Sequence, residues 1–309
     1  MKFKKVIMSI LISLIFLLPI GLLGILINKS NKEKTNITVV NSTEQSVNVD
    51  EKVNIALFGL DRRSENEKAR SDSIMLASID MKKRKIEIIS LLRDTLVEIE
   101  GHGKDKLNHA YSYGGPSLAL DTINKNFDID IDKYVAVDFF SLAKIIDIIG
   151  GVDIELRDSE ANEINKNLVE INNIENLPKG TDYLEGGGLK KLNGRQAVAY
   201  SRIRNEGNGD YERTQRQRKV LKAIAKEYLN MNSDKKFEAS MEIIGQVSTN
   251  IPINYIKDLA NKITSTGSFT INQHMIPYEN SFETKIVNKM WVIEADMPAN
   301  IKELHKYLK

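Results

Sequence analysis

The sequence predicts an α/β fold with a mixed, largely antiparallel central sheet covered by helices. Short apolar runs of strand-like pattern lie at residues 53–60, 73–80 and 85–92. Only the short polar link MKKR separates the second run from the third, which is typical of a hairpin. Helix-like and strand-like patterns then alternate to the C-terminus. A hairpin among alternating elements favours a mixed sheet over a purely parallel one.

The remaining elements follow from periodicity and from the residues that start and stop helices. Pro116 suits the first turn of a helix, and Gly150 with Gly151 stops another. Residues 157–185 are polar and asparagine-rich, and we expect an irregular surface excursion there. Helices are predicted over residues 117–127, 139–149, 193–200, 211–229, 235–247, 254–263 and 300–307, and strands over residues 134–137, 152–156 and 269–275.

Composition excludes several kinds of chemistry. The chain of 309 residues has no cysteine, so disulfides, thiol nucleophiles and cysteine-based zinc sites are excluded. Its four histidines show no paired spacing such as H-x-x-x-H, which argues against a histidine-based metal site. Formal net charge is only +2, so any anion-binding surface must come from local clusters of arginine and lysine.

The N-terminal segment predicts a membrane anchor. Three lysines precede an uncharged apolar run over residues 6–27, which is roughly 33 Å long as a helix and can span a bilayer. A cleaved signal peptide is the alternative, but the run is long for one and lacks a small-residue cleavage site. Lysines on the N-terminal side place the bulk of the chain outside the cell. The predicted layout is a cytoplasmic tail at 1–5, a transmembrane signal-anchor helix at 6–27, a flexible linker at 28–52 and an extracellular domain at 53–309.

Charged residues flank the first three predicted strands at one end of the sheet. Asp61 follows the first strand, Asp72 precedes the second and Arg93 follows the third. If these strands are antiparallel neighbours, the three residues and Arg70 converge, whereas Asp80 lies about 26 Å along a strand from Asp72. Two carboxylates with several arginines suit Mg²⁺ bound to a diphosphate. Ordinary surface salt bridges are the alternative interpretation.

A second cluster of charges follows later in the chain. Arg202 and Arg204 point the same way if the backbone between them is extended. Asp210 then opens a predicted helix in which Arg213 and Gln217 share a face. Five arginines and no lysine lie between residues 202 and 218, which indicates a need for bidentate hydrogen bonding. A solvated basic helix face is the alternative.

These motifs identify the chain as a member of the LytR–CpsA–Psr family. The resemblance is carried, in order and spacing, by GLDRR, RSDSIMLASID, SLLRDT, KLNHAYSYGG, DKYVAVDFFSLAKIIDIIGGVDIEL, LNGRQAVAYSRIRN and GDYERTQRQRKVL. It covers residues 53–228, and residues 229–309 resemble the more variable end of the family. Leu92 stands where family members often have proline, which should relax the backbone at Arg93.

The resemblance implies an extracellular phosphotransferase that uses Mg²⁺ or Mn²⁺. It implies transfer of teichoic acid or capsular polysaccharide from undecaprenyl pyrophosphate to the C6 hydroxyl of N-acetylmuramic acid in peptidoglycan. By position, Asp61 and Asp72 resemble the metal-linked carboxylates, and the expected catalytic residues are Arg93, Asp72 and Asp210. The expected pyrophosphate-binding residues are Arg70, Arg93, Lys106, Arg202, Arg204, Arg213 and Gln217.

Several alternatives stay open at this point. The residues leave the proton acceptor undecided between Asp72 and Asp210. A polyprenyl-pyrophosphate phosphatase would use the same site with water, and a binding-only scaffold would use it without turnover. A non-catalytic regulator of cell-envelope genes is a further alternative, but the predicted topology separates the arginines from DNA, so no nucleic-acid partner is expected. The expected partners are the lipid-linked glycopolymer, peptidoglycan and the cell membrane.

Overall fold

The structure, a computed structural model, describes residues 50–62, 69–203, 216, 219–220, 222–224, 226–228, 230–267 and 269–308. Contacts divide the chain into two compact units. The helical unit consists of residues 138–246, and the sheet unit consists of the described residues before 138 and after 246. The predicted anchor lies outside the described residues and stays a prediction. Among the described residues, no helix is both long enough and apolar enough to cross a membrane.

The described strands and helices have these bounds. The strands are β1 (Lys52–Asp61), β2 (Arg70–Asp80), β3 (Lys85–Leu91), β4 (Leu96–Ile99), β5 (Gly103–Lys106), β6 (Lys133–Asp138), β7 (Val152–Leu156), β8 (Gly188–Leu192), β9 (Ser248–Thr249), β10 (Thr270–Ile276), β11 (Phe282–Val287) and β12 (Met290–Ala295). The helices are α1 (His109–Phe127), α2 (Phe139–Ile148), α3 (Asp158–Ile174), α4 (Gly194–Ser201), α5 (Ser233–Ile244), α6 (Ile253–Thr266) and α7 (Met297–Leu308). The described residues between 216 and 230 are helical as well.

A six-stranded sheet with the order β10-β3-β2-β1-β6-β9 forms the centre of the sheet unit. β2 pairs antiparallel with β1 and with β3, and β6 pairs antiparallel with β9. β10 lies parallel to β3 at the edge. The mixed, largely antiparallel sheet is therefore confirmed, as is the hairpin that joins β2 to β3.

One hydrophobic cluster holds the sheet against α1 and α7. It contains Phe58 of β1, Leu76 of β2, Ile89 of β3, Ile123 of α1 and Leu304 of α7, all of them buried. Each large apolar side chain that leaves water stabilises the fold by roughly 1.5–3 kcal/mol. This burial fixes the ends of the three central strands, where the predicted site lies.

The pairing of β1 with β2 shifts by one residue near the predicted site. Gly59 pairs with Ser73 and Leu60 pairs with Ser71, so Asp72 has no partner on β1. Such an extra residue is a β-bulge, which re-aims the side chain and increases the local twist. A Cβ atom at Gly59 would lie 3.0 Å from the Cβ atom of Ser73. The glycine therefore allows the close approach of the two strands beside the bulge.

Helix α1 begins earlier than predicted. It starts at His109, and Gly114 and Gly115 interrupt it with non-helical backbone angles. Gly115 has φ of 65° and ψ of −157°, a region that essentially only glycine adopts. Pro116 then restarts the helix, in keeping with the predicted first-turn role of this proline. The first segment of α1 consequently follows directly on β5.

The expectation of an irregular excursion at residues 157–185 is wrong over its first half. Helix α3 occupies Asp158–Ile174, and Ile164, Leu168 and Ile171 are buried along it. Their spacing of four and three residues is that of an amphipathic helix. The asparagines between them lower the average hydrophobicity and conceal the pattern in the sequence.

The close contact of α4 with α2 generates the first prediction. A Cβ atom at Gly194 would overlap the carbonyl oxygen of Ala143, and the Gly194 N–H donates to Asp147 Oδ1 at 2.7 Å. Gly194→Ala should therefore lower the free energy of unfolding by about 1–3 kcal/mol through overpacking. Urea denaturation followed by circular dichroism measures it.

The matched control is Asn173→Ala, at an exposed position of α3. It should change the free energy of unfolding by less than about 0.5 kcal/mol. Equal stability of the two variants would contradict a close backbone contact at Gly194.

Candidate active site

An ion pair between β2 and the end of β3 lies at the centre of the candidate site. The Nη1 atom of Arg93 lies 2.5 Å from Asp72 Oδ2, and both side chains are partly exposed. β2 begins at Arg70, so Asp72 lies inside the strand rather than before it as predicted. Because Asp72 is the extra residue of the bulge, its carboxylate is free of the regular alternation of the strand and meets Arg93.

Further charged and polar groups extend this pair. Arg93 Nε lies 3.5 Å from Asp94 Oδ2, and Lys106 Nζ lies 2.7 Å from Asp94 Oδ1. Asn108 Nδ2 lies 3.5 Å from Asp72 Oδ1. The result is an alternating network of cations and carboxylates, which we call the Arg93 network: Asp72, Arg93, Asp94 and Lys106, with Asn108 beside it.

The backbone between β3 and β4 is held by hydrogen bonds from three directions. The Leu92 N–H donates to Ile276 O at 2.8 Å, the Asn108 N–H donates to Arg93 O at 3.1 Å, and the Ile293 N–H donates to Asp94 O at 2.9 Å. The expectation that Leu92 relaxes the backbone is therefore wrong. A proline at this position would have no N–H for Ile276.

Asp61 and Arg70 pair in register at the same end of the sheet. Their strands bring them beside the bulge that carries Asp72, as the antiparallel arrangement predicts. Asp80 lies at the opposite end of β2, paired with Lys52 and Lys85. The structure thus groups Asp61, Arg70, Asp72 and Arg93 at one end and separates Asp80 from them.

The charges of the Arg93 network favour the charged form of the Arg93 guanidinium. Burial lowers the pKa of Arg93, but the carboxylates of Asp72 and Asp94 more than offset that effect, so the pKa is raised above its ordinary value. The Arg93 side chain is still 40% exposed. A guanidinium with several donors can hold these carboxylates and still present donors to an incoming phosphate.

A second cluster beside this network was not singled out in the sequence. Asp105 Oδ2 accepts a hydrogen bond from the Tyr113 hydroxyl at 2.6 Å and lies 2.9 Å from His109 Nδ1. The Tyr113 ring stacks on His102 with centroids 4.0 Å apart. The i, i+4 spacing of Asp105 and His109 was the one available signal, and spacing alone does not distinguish it from a surface pair.

The second arginine cluster lies only partly within the described residues. Arg204, Asp210, Arg213 and Gln217 fall outside them, so their predicted roles stay predictions. Arg202 is described, and its Nη2 atom lies 2.9 Å from Glu170 Oε2. It belongs to the helical unit.

Arg216, from the same stretch, has a structural role. Its side chain is only 2% exposed and its Nε atom lies 2.9 Å from Glu160 Oε1, while Nη1 donates to Ile203 O at 3.3 Å. Burial raises the pKa of Glu160, but hydrogen bonds from the Arg157 N–H and from Arg216 outweigh burial and hold that pKa below its ordinary value. Arginine enrichment in the sequence therefore has at least one cause other than anion binding.

The described residues are compatible with a hard divalent cation. No group of three or more histidine, aspartate or glutamate side chains within the described residues could hold a metal by itself. Asp61 and Asp72 lie at one end of the sheet, and Mg²⁺ is commonly bound by one or two carboxylates while phosphate oxygens and water complete its coordination. The donors are oxygens only, which suits Mg²⁺ or Mn²⁺.

A mixed sheet that carries a partly exposed arginine–carboxylate network at one end defines an α/β protein with a charged candidate site. Comparison with known proteins identifies the particular family. The profile of the LytR_cpsA_psr family matches residues 23–307. The chain belongs to the LytR–CpsA–Psr family, as its motifs predict.

Individual relatives agree with this assignment. The chain is 35% identical over 237 residues to the polyisoprenyl-teichoic acid–peptidoglycan teichoic acid transferase TagU of Enterococcus faecalis, covering 75% of this chain and 71% of the relative. It is 31% identical over 235 residues to the regulatory protein MsrR of Staphylococcus aureus, covering 76% and 67%. A solved structure described as TagT bound to LIIa-WTA is 26% identical with a TM-score of 0.55, covering 86% of this chain and 94% of that one.

The buried Arg216–Glu160 pair generates the second prediction. Arg216→Met should lower the free energy of unfolding by about 3–5 kcal/mol because it leaves Glu160 charged and buried without its buried cationic partner. Glu160→Gln combined with Arg216→Met should recover part of the loss. Thermal unfolding of the single and double variants measures both effects.

The same pair should give the wild type a pH dependence. The pKa of Glu160 is depressed in the folded state, so its stabilising contribution is present above the unfolded value of about 4.3 and is lost as pH falls below it. The double variant should lose less stability on acidification. If the stability of the wild type and of the double variant fell equally with pH, the Arg216–Glu160 pair would not be the source of the pH dependence.

Proposed function

We propose that this protein is a membrane-anchored extracellular transferase that moves an anionic or capsular glycopolymer from a polyprenyl-pyrophosphate carrier to peptidoglycan. The observation that carries the proposal is the Arg93 network, placed by the bulge at one end of the sheet. Membership of the family and the relatives named as teichoic acid transferases make the protein an enzyme of the glycopolymer transferase class.

Arg93 has the central role in binding the diphosphate. Asp72 and Asp94 hold its guanidinium from two sides, so little side-chain freedom is lost when a phosphate binds. Lys106 and Arg70 add positive charge at the same end of the sheet, and we assign Arg202, Arg204, Arg213 and Gln217 to the same set from their motif positions. Fixed positive charge stabilises the charge that develops on the leaving polyprenyl phosphate.

Asp61 and Asp72 would hold Mg²⁺ or Mn²⁺ in this proposal. The ion, when bound, neutralises diphosphate charge and polarises a phosphoryl oxygen. Asp72 would then serve both the ion and Arg93, which links the orientation of the arginine to the metal.

The proposed acceptor is the C6 hydroxyl of N-acetylmuramic acid, and the proposed carrier is undecaprenyl pyrophosphate. Asp72 and Asp210 are the carboxylates that the motifs offer as proton acceptors. Asp210 lies outside the described residues. Asp72 contacts the Arg93 guanidinium and Asn108, so taking a proton would weaken the ion pair that positions Arg93.

A regulatory role is the second candidate because relatives in Staphylococcus aureus are named regulatory protein MsrR. A phosphatase that passes the phosphate to water is the third. The fate of the polymer distinguishes them: attachment to peptidoglycan supports a transferase, release of free polymer supports a phosphatase, and neither supports a regulator.

The third prediction concerns Arg93. Arg93→Ala should lower the rate of transfer by about 1,000-fold, because it removes a charged donor from the transition state. The measurement uses the full chain in detergent micelles with a polyprenyl-pyrophosphate glycan and peptidoglycan oligomers. Attached glycan is quantified by mass spectrometry.

The matched control is Arg84→Ala, at the opposite end of β3 in the turn to β2. It should retain most of the wild-type rate. A rate for Arg93→Ala equal to that of Arg84→Ala, with both variants folded, would sink the assignment of this site.

The fourth prediction concerns the metal. EDTA should abolish attachment by the wild type, and Mg²⁺ or Mn²⁺ should restore it because the diphosphate charge is again neutralised. Asp72→Ala should lack activity in either condition. Undiminished attachment of glycan in EDTA would contradict a role for the metal and leave the arginines as the groups that stabilise the diphosphate charge.

A further inference from the structure

His109 and Asp105 form an imidazole–carboxylate pair beside the Arg93 network. Asp105 belongs to β5 and His109 is the first residue of α1, and both side chains are mostly buried. The backbone N–H of Lys106 also donates to Asp105, to its other carboxylate oxygen, Oδ1, at 2.7 Å. Three donors therefore converge on one carboxylate: this N–H, the Tyr113 hydroxyl and the His109 ring.

These donors fix which ring nitrogen of His109 carries the proton. Burial raises the pKa of Asp105, but the hydrogen bonds from Tyr113, His109 and Lys106 outweigh burial and hold that pKa below its ordinary value. An ionised carboxylate only accepts hydrogen bonds, so His109 Nδ1 must be the donor. In the neutral ring the lone pair then lies on Nε2, which makes no hydrogen bond with any described side chain or backbone group.

The pair borders the predicted diphosphate site through its neighbours in the chain. Asn108, the residue before His109, contacts Asp72, and Lys106, the residue after Asp105, contacts Asp94. The hydrogen bond to Asp105 raises the pKa of Tyr113, and the positive charge of Arg70 opposes that shift. The Tyr113 ring packs against His109 with centroids 6.0 Å apart. His102 belongs to the same cluster and stacks on Tyr113.

Asn108 supplies an independent indication of a ligand here. Its residue is only 5% exposed, and its Oδ1 atom is buried without a hydrogen-bond partner among the described residues. A buried acceptor left unsatisfied costs about 1–3 kcal/mol. A hydroxyl or amide N–H of a bound sugar would satisfy this oxygen, which belongs to the residue before His109.

We propose that His109 is the proton acceptor for the acceptor hydroxyl and that Asp105 is its positioning residue. The inference rests on the proposed transferase function and replaces both carboxylates as the base. Asp105 holds the ring with Nε2 unprotonated towards the ligand, and Tyr113 fixes the carboxylate. The arrangement of imidazole and carboxylate is that of a general base with an orienting group.

The O–H bond of the acceptor hydroxyl breaks, its proton goes to His109 Nε2, and its electron pair forms a bond to the polymer-side phosphorus. The bond from that phosphorus to the bridging oxygen breaks, and the polyprenyl phosphate leaves with the electron pair. His109, held as an imidazolium by Asp105, then returns its proton to solvent.

The test compares four full-length proteins in the transfer assay between pH 5 and 9. They are the wild type, His109→Gln, Asp105→Asn and His274→Gln. His274 pairs with Glu87 at 2.8 Å on the strands β10 and β3, so it is a matched histidine–carboxylate control. Binding of the lipid donor and thermal unfolding are measured for each protein.

His109→Gln should lower kcat by about 100-fold with little change in KM for the lipid donor. This loss lies at the lower end of the range for removal of a general base, because phosphoryl transition states are loose. The wild-type rate should fall on the acid side as imidazole gains a proton, and this limb should be absent in His109→Gln. Asp105→Asn should lower kcat because an amide can no longer fix the tautomer. His274→Gln should retain the wild-type kcat and the fall in rate at acid pH.

The inference is overturned if His109→Gln keeps the wild-type kcat and acid limb while the wild type transfers polymer. If His109→Gln does not fold, an unchanged kcat and acid limb in folded Asp105→Asn overturns it instead. A wild type that transfers nothing to any acceptor overturns the proposed function, and this inference with it.

Discussion

The one-residue shift between β1 and β2 is the constraint on which the candidate active site depends. Ser71 is fully buried, and in a regular strand its neighbours would alternate strictly between the two faces. The bulge breaks that alternation at Asp72, so two partly exposed residues, Asp72 and Ser73, follow one another, and the Asp72 carboxylate meets Arg93. Gly59 makes the shift possible on the opposite strand. The charged network thus depends on how β1 and β2 pack against each other in the sheet.

The segment that carries Arg93 is made rigid by backbone hydrogen bonds rather than by the charges of the network. The segment of residues 92–95 lies outside the long strands, yet β10, β12 and Asn108, just before α1, each bond to it. Leu107 adds a further bond, from its N–H to Thr95 O at 2.9 Å. Salt bridges at partly exposed positions contribute little stability. Their geometry is nevertheless fixed here, because the backbone on both sides of Arg93 is held in place.

The sequence predicted what depends on local pattern. The three central strands, the hairpin between β2 and β3, and the shared end for Asp61, Arg70, Asp72 and Arg93 all follow from alternation and antiparallel pairing. The bulge was not predictable, because a register shift depends on tertiary packing around Gly59. Helix α3 was missed because asparagines diluted its apolar stripe. The short strands β4, β5, β11 and β12 pair locally as two hairpins. They were missed because they are short and, as in GKDK of β5, can carry charged residues in place of an apolar run.

The order of the strands has a consequence for synthesis and folding. His274 on β10 meets Glu87 on β3 although 187 residues separate them, and Asn250 meets Tyr134 across 116 residues. The helical unit is one continuous segment between these partners, so all of its internal contacts are available before β9 and β10 emerge. The central sheet, by contrast, is incomplete at both edges until the last part of the chain is made. Non-local pairing of this kind slows folding, so a nascent chain should pass through a stage with a finished helical unit and two unpaired sheet edges.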